Sequence, residues 1–150
     1  MELGLKGKRA LVMAASRGLG FASALGLARE GCKLVICSRD QARIEAAANT
    51  IRTQTGAEVT ALVADVSSAA EAQRLVASAV SAYGGLEIVV HNAGGDIAAA
   101  GGKPNPNDCV HIKEEDVRAV IDRNLLSTIF MCQQVAPGMM QRRRGRIVTL

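Results

Sequence analysis

Four short apolar runs, each followed by a turn signal and most by a stretch of helical periodicity, constrain this chain more than any other feature. The runs are Arg9 to Met13, Lys33 to Cys37, Glu58 to Ala64 and Leu86 to Val90. After the first, Phe21, Leu25 and Ala28 recur at spacings of three and four, which predicts a helix to about Arg29 that stops at Gly31. After the second, Ser38-Arg39-Asp40-Gln41 reads as a capping box, with Ser38 as N-cap and Gln41 reaching back, opening a helix to about Thr55 closed by Gly56. A second box, Ser68-Ala69-Ala70-Glu71, opens a third helix ending near Tyr83-Gly84-Gly85. Apolar strands alternating with helices of this length predict an α/β fold, a doubly wound parallel sheet with right-handed crossovers. In such sheets ligands sit outside the carboxyl ends of the strands, so the residues after each strand carry the functional question.

Residues 91 to 112 read as a long Gly- and Pro-containing connection, a length that points to a functional segment. From Lys113 to about Gln141 the pattern is helical again. Val117, Val120, Ile121, Leu125, Thr128, Met131 and Cys132 form one apolar stripe, so this helix is expected to pack on the sheet, with Pro137 bending or breaking it. The cluster Arg142-Arg143-Arg144-Gly145-Arg146 holds much of the +4 net charge. Following a helix, it reads as cations at the negative helix end with Gly145 as C-cap, and no aromatic residue interleaves it as a nucleic-acid surface would need. Arg146 to Leu150 predicts a fifth strand.

At 150 residues, 49% hydrophobic and 21% charged, the chain suits a single domain over 1–150 of a soluble α/β protein. No apolar run approaches a membrane span, and residues 1–6 lack a signal peptide's apolar middle, so a cytoplasmic protein without membrane partner is expected. Cys32, Cys37, Cys109 and Cys132 show no C-x-x-C spacing, which speaks against a metal or disulfide role.

The turn Ala14-Ala15-Ser16-Arg17-Gly18-Leu19-Gly20 joins the first strand to the first helix. It is neither G-x-G-x-x-G nor a Walker sequence, yet it aims backbone N–H groups and a helix dipole at one point, as a phosphate requires. The methyl of Ala14 is expected to be tolerated there if its φ stays negative. Arg39 closes the second strand about 20 residues after Gly20, the place where a dinucleotide fold reads the adenosine ribose. An arginine there would fork onto a 2′-phosphate, with Arg17 as a second cation, favouring NADP over NAD; alternatively Arg39 is solvated and Asp40 takes the ribose. Asp65, before Val66, could meet an adenine edge or cap its own turn. Asn92-Ala93-Gly94 could flank a ribose or form an ordinary turn. Asn124 is an amide within the apolar stripe and must find partners there.

In order, Ala14-x-x-x-Gly18-x-Gly20, Arg39, Asp65-Val66, Asn92-Ala93-Gly94 and Asn124-Leu125 resemble the successive signatures of the short-chain dehydrogenase/reductases, which are built on a Rossmann-like sheet. The overall run is similar to that of 3-oxoacyl-(acyl-carrier-protein) reductases and their relatives. The resemblance implies that Ala14, Ser16, Arg17, Gly18, Leu19 and Gly20 belong to the pyrophosphate turn, Asp65 and Val66 to the adenine site, and Asn92, Ala93 and Gly94 to the middle of the cofactor. It implies that Asn124 matches the catalytic helix asparagine, which holds a water in a proton relay. It implies hydride transfer from NADPH to a small-molecule carbonyl or acyl thioester, and homo-oligomers of the full-length protein that pair through the helix carrying Asn124. Two departures are Ala14 for a glycine and His91, read as a packing variant, for the usual asparagine. The family's serine and Tyr-x-x-x-Lys follow the fifth strand, where these 150 residues end, and Tyr83 is followed four residues later by Glu87 rather than a lysine. Two other readings stay open, a noncatalytic dinucleotide-binding fragment and an S-adenosylmethionine site, the latter opposed by Arg39. A sheet uncovered at its fifth strand is also expected to be only marginally stable.

Overall fold

The computed structural model describes residues 2–95 and 110–150. Most of the connection read over 91–112 therefore lies outside the described residues, as does Cys109. Strands β1 (Arg9–Met13), β2 (Lys33–Ser38), β3 (Val59–Val63), β4 (Ile88–His91) and β5 (Arg146–Thr149) form one parallel sheet in the order β3-β2-β1-β4-β5. Leu11 pairs with Val35 on one side and Val89 on the other, so β1 lies inside the sheet. Helices α1 (Gly18–Arg29), α2 (Gln41–Thr55), α3 (Ala69–Tyr83), α4 (Glu114–Ile121) and α5 (Ser127–Gln141) supply the layers, with a π-helical turn over Asp122–Leu126 between the last two.

The apolar runs become central strands because both of their faces are covered. Ala10, Val12, Leu34 and Ile36 pack against Ala24 and Ala28 of α1 and Ile44, Ala48 and Ile51 of α2. On the opposite face Leu11, Met13, Val35 and Val89 pack against Leu75 and Ala79 of α3 and Met131, Val135 and Met139 of α5. The alternation of odd and even positions along β1 between these two cores makes the sheet doubly wound, as the sequence pattern requires.

Several boundaries differ from the sequence reading. The N-cap of α2 is Asp40, whose carboxylate accepts the Arg43 N–H at 2.9 Å, and not Ser38, which is the last residue of β2. A carboxylate accepts more strongly than a hydroxyl and its charge suits the helix dipole, so the start moves two residues along. Ser68 does cap α3, accepting the Glu71 N–H at 3.4 Å, whereas the Glu71 carboxylate turns to a fork with Arg74 instead of reaching back. Pro137 does not break α5, which runs through it to Gln141 with Ser127, Met131, Val135 and Met139 buried at four-residue spacing. Packing along that row outweighs the one hydrogen bond the proline cannot donate.

Gly145 is not the C-cap of α5. Arg143 takes the left-handed position, φ +51°, with its N–H on the Met140 carbonyl at 2.9 Å and the Arg144 N–H on the Met139 carbonyl at 3.0 Å, a Schellman pair. Gly145 serves a different need, for a Cβ there would lie 2.7 Å from the Met139 Cβ. The apolar stripe also divides. Met131 is fully buried, but Val117, Ile121, Leu125 and Ile129 are 37–54% exposed, so α4 and the π-helical turn do not pack on the sheet as expected. The wide turn shifts the buried row onto Ser127 and Met131 and leaves the residues before it facing outward.

Cys32 and Cys37 are buried, and burial pushes the Cys37 thiol up to about 12, where it behaves as a small apolar side chain. Among the described residues no group of three or more His, Cys, Asp or Glu gathers to hold a metal, and no described helix is long and apolar enough to cross a membrane.

Candidate functional site

The order β3-β2-β1-β4-β5 places the switch in strand direction of progress between β1 and β4, and a groove of ≈ 510 Å³ opens there across the carboxyl ends of the strands. The turn after β1 contributes Ala14, Ser16, Arg17 and Gly18, and the segment after β2 contributes Ser38, Arg39, Asp40 and Arg43. The end of β3 adds Ala64, Val66 and Ser67; the end of β4 adds Asn92, Ala93 and Gly94; Arg123 reaches in from the π-helical turn.

The first turn is held by backbone approach. Gly18 has φ +60°, and Gly20 is buried so tightly that a Cβ would strike the Ala14 carbonyl and lie 2.6 Å from the Asn92 Nδ2. Ala14 itself has φ +50°, so the condition that its φ stay negative is not met: the turn imposes the left-handed region whatever the residue. No side chain caps α1 and no acid lies in its first turn, leaving its first N–H groups to the groove side. Leu19 is 71% exposed and neither it nor Gly20 lines the groove, the one pointing to solvent and the other pressed beneath the turn.

Charge distinguishes this groove. Among the described residues Arg17, Arg39, Arg43 and Arg123 line it with one acid, Asp40, which already serves the α2 cap and pairs with Arg43 at 3.4 Å. Arg39 and Arg17 thus meet where the sequence places them. Arg43 and Arg123 were missed; Arg43 lies one helical turn beyond Arg39 and could have been found from that spacing, while Arg123 arrives through the tertiary fold. Asp65 does not line the groove. Its Oδ1 accepts the Ser67 hydroxyl at 2.6 Å and the Ser67 N–H at 3.1 Å, the turn-capping alternative. The Ser67 hydroxyl bond is the main reason its carboxyl lies below the usual range, with Arg39 and Arg123 adding to it.

After β4 the wall is fixed by side chains. Asn92 donates to the Ala14 carbonyl at 3.4 Å, joining this wall to the first turn. Asn124 is exposed and not a core amide: its Oδ1 accepts the Gly95 N–H at 3.1 Å and its Nδ2 donates to the carbonyls of Gly95 and Val120, both at 2.8 Å. Glycine at 94 leaves room for this, since a Cβ there would lie 2.6 Å from the Asn124 Oδ1 and the amide would have to turn. Tyr83 is elsewhere, its hydroxyl 3.1 Å from the Thr60 hydroxyl and donating to the Leu34 carbonyl at 3.3 Å.

The model of the short chain dehydrogenase family matches residues 8–150. This chain belongs to that family. Dehydrogenase/reductase SDR family member 4 of Bos taurus is 35% identical, over 96% of this chain and 49% of the relative. L-Sorbose reductase from Gluconobacter frateurii, solved in complex with NADPH and L-sorbose, superposes with a TM-score of 0.89 at 27% identity, over 99% of this chain and 54% of that one. An NADH-dependent reductase complexed with NAD superposes with a TM-score of 0.85 at 26% identity, over 99% of this chain and 61% of its own. The chain spans about half the length of the curated relatives it matches.

The residues present fit a dinucleotide. The glycine turn leaves room for backbone approach to a phosphate, and Arg17 and Arg39 among the described lining residues suit a ligand with several anionic groups.

Proposed function

We propose that this short-chain dehydrogenase binds NADP(H) in the groove and serves an oxidoreductase that reduces a ketone, such as a 3-oxoacyl thioester. The observation that carries the cofactor choice is Arg39 and Arg17 on a groove whose one acid among the described lining residues, Asp40, is already engaged. An acid accepting from a ribose 2′-hydroxyl would favour NAD; Asp40 is committed to α2, and Arg39 and Arg17 stand ready for a 2′-phosphate. The first N–H groups of α1 hold the pyrophosphate, Val66 and the turn capped by Asp65 border the adenine, and Asn92, Ala93 and Gly94 flank the nicotinamide ribose. When bound, NADPH supplies the hydride for the carbonyl carbon. Asn124 orders the wall after β4 and, by resemblance to the family, a water of the proton relay. The residues described here bind and orient; the proton donor that the family draws from a Tyr-x-x-x-Lys is not Tyr83, whose hydroxyl is tied to β2 and β3.

A noncatalytic dinucleotide-binding role is the second reading, and that engagement of Tyr83 favours it for residues 1–150 taken alone. The exposed row Val117, Ile121, Leu125 and Ile129 would pair two copies of the full-length protein, in the cytoplasm.

The test is calorimetric titration with NADPH, NADH and S-adenosylmethionine, on the parent and on Arg39→Ala. NADPH should bind about tenfold or more tightly than NADH, a difference that Arg39→Ala removes, as loss of one charge-assisted hydrogen bond implies. Equal or tighter binding of NADH overturns the cofactor choice, and binding of S-adenosylmethionine alone overturns the function. Ketone turnover with NADPH then separates the reductase from the binding module.

A further inference from the structure

His91 is almost fully buried, 2% exposed, at the end of β4, and two hydroxyls on α5 face its ring. Its Nε2 lies 3.1 Å from the Ser127 Oγ and its Nδ1 lies 3.4 Å from the Thr128 Oγ1. Each hydroxyl also donates backward, Ser127 to the Arg123 carbonyl at 2.5 Å and Thr128 to the Asn124 carbonyl at 2.8 Å. Those two carbonyls belong to the π-helical turn, where the hydrogen-bond ladder skips a residue and needs outside support. A hydroxyl has one proton, so a Ser127 that donates to Arg123 must accept from the imidazole. A neutral histidine supplies one N–H, which the shorter contact assigns to Nε2, so the 3.4 Å approach of Nδ1 to Thr128, whose proton goes to Asn124, is a packing contact. Burial favours that neutral form.

We propose that His91 is a positioning residue for the groove. Through the Ser127 hydroxyl, which accepts from its ring and donates to the Arg123 carbonyl, it holds the π-helical turn in the arrangement that lays the Asn124 amide across Gly95, and so fixes the Gly94 wall. Contact runs without a gap from the imidazole to the groove: ring, hydroxyl, turn carbonyl, Asn124, Gly95. An apolar residue of similar size would fill the space between β4 and α5 but leave the Ser127 hydroxyl without this donor. That the groove takes a dinucleotide is the reading given above; the framing of its wall depends on these contacts and not on the ligand.

The experiment follows amide hydrogen exchange by NMR in the 15N-labelled protein without ligand, comparing the parent with His91→Leu, His91→Asn and Ser127→Ala. Ser127→Ala removes one buried oxygen and leaves the packing of α5, so it keeps the fold even if His91→Leu does not. In Ser127→Ala and His91→Leu the Gly95 N–H and the Asn124 side-chain amide should exchange about tenfold faster, as loss of one hydrogen bond of ordinary strength gives, with β1 amides such as Leu11 unchanged. His91→Asn, which still donates, should restore part of the protection. Unchanged exchange at Gly95 and Asn124 in Ser127→Ala, or loss there matched by equal loss in β1, overturns the proposal. If NADPH fails to bind while the selective loss occurs, the cofactor reading falls and the positioning role stands.

Discussion

Two walls of one groove are built by opposite means. The turn after β1 is shaped by missing side chains: Gly18 takes φ +60° and Gly20 lets the helix sit against the Ala14 carbonyl. The wall after β4 is shaped by side chains that are present, Asn92, Asn124 and the His91 frame. A wall of the first kind has no slack, because backbone meets backbone; one of the second kind can give, because an amide or hydroxyl can rotate. The two should therefore respond differently to the same added methyl group.

Gly20→Ala is expected to have the largest effect. Its Cβ would strike the Ala14 carbonyl, and neither β1 nor α1 can withdraw without opening the core around Ala15 and Ala24. A loss of about 3 kcal/mol, the upper end for overpacking, should appear in urea unfolding, together with lost dinucleotide binding. A variant of parental stability would show that the turn has slack after all.

Glu87→Gln acts at the opposite ends of both strands from the walls and so serves as the control. At the amino ends of β1 and β4, Glu87 accepts the Arg9 N–H and Nε at 2.9 Å each and pairs with the Arg9 guanidinium. The bond to the Arg9 side chain chiefly holds the Glu87 carboxyl below its ordinary 4.5. A depressed carboxylate pKa means that its stabilisation is fully present above the unfolded value and is lost as pH falls through the lower folded value. The variant should be about 2 kcal/mol less stable at pH 7, and the gap should close progressively below pH 4.5. A gap that stays constant down to pH 2 would remove the ion pair as its cause.

Gly94→Ala tests the yielding wall. The new Cβ would meet the Asn124 Oδ1, the end of a side chain, so the expected cost is about 1 kcal/mol, with faster exchange at Gly95 and an intact sheet. A loss as large as that at Gly20 would erase the distinction between the walls.

The same contrast governs what the sequence discloses. The glycine turn, the strand alternation and Arg39 are legible because each is a local pattern with a local cause. The caps were half legible: Ser38 and Asp40 both suit an N-cap, and only the true end of β2 decides between them. The outward face of Val117, Ile121 and Leu125 was hidden because helical periodicity assumes a uniform turn, and the π-helical turn shifts the phase. Asn124 was noticed as an amide out of place, but its partner Gly95 is 29 positions away and His91 meets Ser127 across 36, distances over which periodicity is silent. Arg123 entered the groove by the same route.

The smallest effect is the most discriminating. Ala14 occupies φ +50°, where an L side chain costs roughly 1–2 kcal/mol, and the family pattern carries glycine at this place. Glycine would relieve that strain but adds freedom to the unfolded chain worth about 0.4–1 kcal/mol, so Ala14→Gly should stabilise by roughly 0.5–1 kcal/mol. For a chain of this length that raises the melting temperature by about 1–4 °C, with the Gly20 approach unchanged. Arg143→Gly, at φ +51° in the cap of α5, has the same backbone logic far from the groove and should raise it by a similar amount. If only Arg143→Gly stabilises, the left-handed strain at Ala14 is compensated within the turn, and the wall built from missing side chains has made use of the one side chain it kept.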